Sequence, residues 1–234
     1  MCTVSFFPIS DHDFIFTSNR DESPKRETLF PRIYEQDQVK LLYPKDKLAG
    51  GTWIGASDYQ RLVCLLNGGF KPHKRKEKYR MSRGKIVTDL LIAKNIELVM
   101  DEYDLFGIEP FTLILVSWEN DLQIKELVWD GNEKFISDKP IQPTIWSSSL
   151  LYSEDVKRKR EQWFDDFLNS TEGITEDSII DFHKNAGEGD IETNLIMDRK
   201  FVRTKSITEI MKKKDRCTMR YEDLIEQRIS VKSL

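Results

Sequence analysis

Strand-like and helix-like segments fall in separate blocks along this chain, and that grouping limits its possible folds more than any other feature. The runs "CTVSFFP" (2–8) and "DFIFTSN" (13–19) are apolar and β-rich, and the turn formers "ISDHD" between them make them a hairpin. "QVKLLY" (38–43), "TWIGAS" (52–57) and "RLVCLLN" (61–67) read as strands punctuated by "LAGG" and "SDYQ". From Ser82, a helix N-cap, Ile86, Leu90, Leu91 and Ala93 share one face, and a second short helix covers 97–106. Strands return at 111–118, 122–129 and 143–149. Helices over 153–169 and 175–185 follow, the second capped by Thr175, and a hairpin over 201–210 and 216–224 closes the chain. Residues 23–37, broken by Pro24 and Pro31, and the basic stretch 70–80 read as loops. Runs of strands alternating with runs of helices point to an α+β domain rather than a βαβ one. Two antiparallel sheets stacked face to face, with helices on both outer faces, use every element in one domain spanning 1–234.

Composition excludes several classes. With 39% hydrophobic residues and 13 Phe, the chain is globular rather than disordered. A formal charge of −4 argues against nucleic acid as the main partner. The longest apolar runs, such as "FTLILV" (111–116), are far shorter than a membrane span, and the N-terminus lacks a basic-then-apolar secretory signal. Cys2, Cys64 and Cys217 are odd in number and widely spaced, matching neither a disulfide framework nor a zinc pattern. His12, His73 and His183 have no ligand spacing either. The expectation is a cytoplasmic protein without metal or cofactor; its oligomeric state is open.

The chemistry concentrates at the N-terminus. Methionine aminopeptidase tends to remove Met1 when the second residue is small, and Cys2 is small. The mature chain then begins with a thiol and a free α-amine on one residue. A free thiol, with a pKa of about 8.5, is mostly protonated at neutral pH, whereas an α-amine near 7.7–8.0 is neutral often enough to take that proton. Strand alternation puts Cys2, Val4 and Phe6 on one face of the first strand. On the second strand Thr17, Asn19 and Asp21 share a face, while Ser18 and Arg20 point the other way. The hairpin brings Cys2 near residues 19–21, where Asp21 can orient the amine and Arg20 can favour thiolate. A plain strand end and a solvated turn give the same residues without chemistry.

"MCTV", "SNRDE" (18–22), "GGTWIG" (50–55), "LLNGG" (65–69), "SRG" (82–84) and "SSSLLYS" (147–153) together resemble the NRDE, or transport-and-Golgi-organisation protein 2, family over most of the chain. The resemblance implies a four-layer αββα fold of the N-terminal-nucleophile hydrolase type. In the related choloylglycine-hydrolase group, an N-terminal cysteine cleaves amides such as penicillin V and conjugated bile acids. Carried over, Cys2 is the nucleophile, Asp21 its partner and Asn67 part of the oxyanion hole. The chain departs from that group at Ser18, where an Arg stands three residues before the Asp, and at Ser147–Ser149, where a second Asn is expected. The resemblance therefore implies an amidohydrolase acting on non-peptide C–N bonds. Alternatively it implies a non-catalytic binding or trafficking protein with haem or an acyl-lipid as cargo.

Beside Cys2, Arg20, Asp21 and Asn67, the candidates for substrate contact are Asn19, Trp53 and Ser148. Trp53 reads as core or as a pocket wall. Cys64 alternates with Leu62 and Leu66 and reads as inert core. The loop 70–80 carries six Lys or Arg against Glu77 alone; it is either a solvated loop or a rim that guides an anionic amide or acyl substrate toward the site.

Overall fold

The computed structural model describes residues 3–234; Met1 and Cys2 lie outside the described residues. Thirteen strands are described: β1 (Thr3–Pro8), β2 (Phe14–Glu22), β3 (Thr28–Gln36), β4 (Val39–Asp46), β5 (Ile54–Ser57), β6 (Arg61–Asn67), β7 (Phe111–Ser117), β8 (Gln123–Trp129), β9 (Lys134–Lys139), β10 (Thr144–Ser147), β11 (Arg203–Lys213), β12 (Arg216–Asp223) and β13 (Arg228–Ser233). Four helices complete them: α1 (Arg83–Leu91), α2 (Ile96–Glu102), α3 (Glu154–Ser170) and α4 (Glu176–Asn185). The strands form a six-stranded sheet in the order β10-β1-β2-β11-β12-β13 and a seven-stranded sheet running β3 to β9 in sequence order. All the pairings are antiparallel.

Alternation builds the layers. Val4, Phe6, Phe14 and Phe16 of the smaller sheet meet Leu62, Cys64, Leu66, Ile114 and Val116 of the larger one in a core between the sheets. Phe6 and Phe14 stack with centroids 5.6 Å apart, and Phe14 meets Trp118 edge-on at 5.3 Å. The other face of the larger sheet, through Val63, Leu65, Leu113 and Leu115, packs under Ile86, Leu90 and Leu91 of α1 and Met100 of α2. α3 and α4 pack together through Phe164 and Phe182 with Leu195 over the outer face of the smaller sheet. The result is the expected αββα stack. Each helix starts where a side chain satisfies its free N–H groups: Ser82 accepts from Gly84, Ser153 from Val156, and Thr175 exchanges hydrogen bonds with Ser178 in a capping box.

Three strands were not legible in the sequence, and all three are sheet edges: β3, β9 and β13. β3 falls within the stretch expected to be loop. Its residues are mostly exposed or half-buried, and its register with β4 shifts between Leu29 and Arg32, around Pro31. An edge strand tolerates proline's missing N–H, because no neighbour on that side needs the donor. β9 and β13 are exposed almost throughout, so no apolar alternation marks them.

One close approach shapes the site. A Cβ on Gly51 would lie 2.7 Å from the carbonyl carbon of Gly84. These two glycines let the loop before β5 touch the first turn of α1.

Candidate active site at the start of the first strand

Alternation on β2 splits the Asn19-Arg20-Asp21 cluster between two faces of the sheet. Arg20 follows Phe14, Phe16 and Ser18 onto the face turned toward the other sheet. There its guanidinium lies 4.0 Å above the Trp53 ring and donates to Asp46 at 2.7 Å and Thr28 at 2.6 Å. Burial pulls the Arg20 pKa down, and the Asp46 carboxylate acts against that. Asp46 also receives Arg26 Nε at 2.6 Å.

Asp21 faces the other way. Its Oδ2 accepts from the Tyr152 hydroxyl at 2.7 Å and its Oδ1 from Thr204 Oγ1 at 2.6 Å. The period of two along β2 thus gives the place in the cleft wall to Arg20, with Asp21 on the opposite face of the strand. Asn19 is fully buried on the Asp21 face. Its amide donates to the carbonyls of His183 (3.1 Å) and Leu195 (2.9 Å), and its oxygen pairs with His183 Nδ1 at 2.8 Å. Asn19 thus braces β2 against α4 and does not line the cleft.

The cleft at these strand ends has a volume of about 440 Å³. Arg20, Trp53 and Asn67 are part of its wall, the Gly51–Gly84 approach closes one side, and residues 75–79 of the basic loop overhang it. Six basic side chains line it against four acidic ones. Of the acids, Glu109 is engaged by Arg83 at 3.1 Å, and Asp46 by Arg20 and Arg26. Trp53 is both core and wall. It is 5% exposed, and its indole N–H meets no acceptor among the described residues.

Asn67 ends β6 beside Gly68, which adopts φ +90°. A Cβ at Gly68 would lie 2.8 Å from the Leu150 nitrogen, so glycine is needed for both conformation and space. Ser148 is buried, and its hydroxyl donates to the Asn67 carbonyl at 2.6 Å. This bond ties the end of β10 to the end of β6 across the two sheets.

Sequence reasoning missed the polar layer behind β1. Arg160 of α3 is fully buried; it donates to Thr3 Oγ1 and to the carbonyls of Thr193 (2.9 Å) and Asn194 (2.7 Å), and it stacks 3.6 Å over the Tyr152 ring. His183 of α4 bridges Ser5 Oγ, 2.7 Å from its Nε2, and Asn19. Burial first, and the Arg160 charge second, push the His183 pKa down to about 3, so the ring is neutral. The signal was available: Arg160 falls between Val156 and Phe164 at helical spacing, and His183 follows Ile179 by one turn. Elsewhere, burial pushes the Cys64 and Cys217 thiols up to about 12, which makes both poor nucleophiles. Among the described residues no group of three or more His, Cys, Asp or Glu side chains could hold a metal, and no helix is long and apolar enough to cross a membrane.

The fold is shared with enzymes of known structure. A variant of the conjugated bile acid hydrolase from Clostridium perfringens superposes with a TM-score of 0.60 at 10% identity, covering 99% of this chain and 92% of that one. The Caenorhabditis elegans orthologue of N-acylethanolamine-hydrolyzing acid amidase gives 0.61 at 11% identity, covering 89% and 92%. Penicillin V acylase from Agrobacterium tumefaciens gives 0.58 at 9%, covering 99% and 85%. At these identities the likeness establishes the N-terminal-nucleophile hydrolase fold. No curated protein sequence matches the chain. The family profile described as Transport and Golgi organisation 2 matches residues 1–222. The chain belongs to the Transport and Golgi organisation 2 family.

Proposed function

We propose that this protein is an N-terminal cysteine amidohydrolase that cleaves a non-peptide C–N amide bond in a small, anionic substrate. The observation that carries the reading is the register of β1. Thr3 pairs with Asn19 on one side and Ser147 on the other. One further step along the same ladders meets Arg20, which lines the cleft, and Ser148, which is bonded to Asn67. Cys2 is covalently joined to Thr3, so in the proposal it reaches that junction.

Once Met1 is removed, the Cys2 amine takes the thiol proton and the sulfur attacks the amide carbonyl. Asn67 and a backbone N–H stabilise the oxyanion; removal of one such donor elsewhere costs about 3–4 kcal/mol. Collapse breaks the C–N bond, the amine returns the proton to the leaving nitrogen, and water then cleaves the thioester to release the acid and restore the thiol. Arg20 supplies positive charge on the cleft side, and Asp21 orients the amine from the other side of β2. The excess of basic side chains on the cleft wall supports an anionic group on the substrate.

The test is turnover of a panel of N-acyl amides with and without a carboxylate, using protein whose Met1 is removed. Hydrolysis by the wild type that is lost in Cys2→Ser is the expected result. Turnover that persists in Cys2→Ser would refute the nucleophile. A panel left intact, together with tight saturable binding of haem or an acyl-lipid that Cys2→Ser does not alter, would replace the enzyme by a carrier.

A further inference from the structure

We infer that Arg160 is a positioning residue for the nucleophile, clamping the start of β1 with one edge of its guanidinium and the Tyr152–Asp21 pair with its flat face. The inference rests on the reading of Cys2 as the nucleophile. Arg160 is the largest fully buried side chain among the described residues, and no carboxylate lies within ion-pair distance of it there. Burying a guanidinium without a counter-ion is costly, and a well-packed apolar side chain of similar volume would serve stability as well or better. The contacts it makes instead are specific. Nη1 donates to Thr3 Oγ1, the side chain of the residue next to Cys2. Nε and Nη2 anchor it to the Thr193 carbonyl, and Nη2 also to that of Asn194. Its face covers the ring of Tyr152, whose hydroxyl donates to Asp21.

The clamp therefore spans both parts of the proposed machinery. Thr3 is the residue to which Cys2 is covalently joined, and Asp21 is the group proposed to orient the amine. Five donors in a rigid plane suit this task, which a single ammonium could not reproduce. Arg199 lies over the same tyrosine ring at 5.2 Å, so a second cation holds the ring in place.

The experiment measures iodoacetamide alkylation of Cys2 by peptide mapping in native protein, divided by the rate in denatured protein, with Met1 removed throughout. Arg160→Met keeps much of the volume but neither the donors nor the planar stack. It is expected to fold and to lower the native-to-denatured ratio by about tenfold or more, the scale of a misplaced reacting group. Arg160→Lys should recover only part of the ratio, and Tyr152→Phe, which keeps the ring but loses the hydroxyl, should lower it several-fold. A merely structural role predicts a lower melting temperature with an unchanged ratio. Folded Arg160→Met with the wild-type ratio overturns the inference and leaves the nucleophile reading standing. If Arg160→Met does not fold, a wild-type ratio in Tyr152→Phe overturns it. A wild-type ratio near one would refute the nucleophile reading and this inference with it.

Discussion

Glu209 should be a destabilising residue at neutral pH, and replacing it by glutamine should stabilise the fold. It lies in the middle of the smaller sheet, opposite Thr17 of β2 and Arg220 of β12, and is 2% exposed. Thr17 Oγ1 donates to its carboxylate at a long 3.4 Å. Burial first, and the nearby Glu176 charge second, push its pKa up from 4.5 to about 8. The folded-state pKa is thus above the unfolded one. The stability is fully present below pH 4.5 and is lost as pH rises through about 8, because the unfolded chain releases a proton the folded chain keeps. At pH 7 the gap from 4.5 is about 2.5 units, worth roughly 3 kcal/mol at about 1.4 kcal/mol per unit. Glu209→Gln keeps the shape and pays no deprotonation penalty. For a chain of this length the gain corresponds to roughly 6–12 °C in melting temperature. Urea melts of both proteins from pH 4 to pH 8.5 should coincide at pH 4 and diverge steadily above it. A difference independent of pH, or a glutamine variant less stable at pH 7, would refute the reasoning.

Further outcomes follow from other buried groups. His183 works in the opposite direction: its folded pKa near 3 lies below the ordinary 6.5, so its stability contribution is complete above pH 6.5 and falls toward pH 3, by about 2 kcal/mol at pH 5. Acid unfolding midpoints should show this slope in the wild type and lose it in His183→Gln. Asp46→Ala strands the buried Arg20 guanidinium and should cost about 3–5 kcal/mol in chemical denaturation, whereas Glu27→Ala, whose ion pair with Lys47 is solvent-exposed, should leave the unfolding midpoint almost unchanged. Gly84→Val drives a side chain into the Thr52 backbone, 2.8 Å from where its Cβ would stand, and should cost at least about 1–3 kcal/mol while opening the wall of the cleft.

The layers were legible because a strand between two others, covered on its faces, carries its own pattern. "RLVCLLN" alternates Leu62, Cys64 and Leu66 toward one sheet with Val63 and Leu65 toward α1, and the structure reproduces it residue by residue. Edge strands have no such pattern, because both faces of β9 and β13 are largely wet. The site divides similarly. Local spacing gave the opposite facing of Arg20 and Asp21. It could not say which face looks into the cleft, because that depends on which side of the smaller sheet the larger one packs. The long-range contacts of Arg160, Tyr152, His183 and Thr204 join segments more than 100 residues apart, and no local period encodes those meetings.

The central claim is that Cys2 is a nucleophile whose own amine is its base. Retaining Met1 turns that amine into an amide and removes the base while adding one residue. Alkylation of Cys2 should therefore be followed against pH in protein with Met1 removed and in protein that retains it. The account predicts an apparent thiol pKa below about 8.5 in the processed form, Cys2 reacting much faster than the buried Cys64 and Cys217, and loss of that activation when Met1 stays. Equal rates and equal pKa values for Cys2 in the two forms would contradict it.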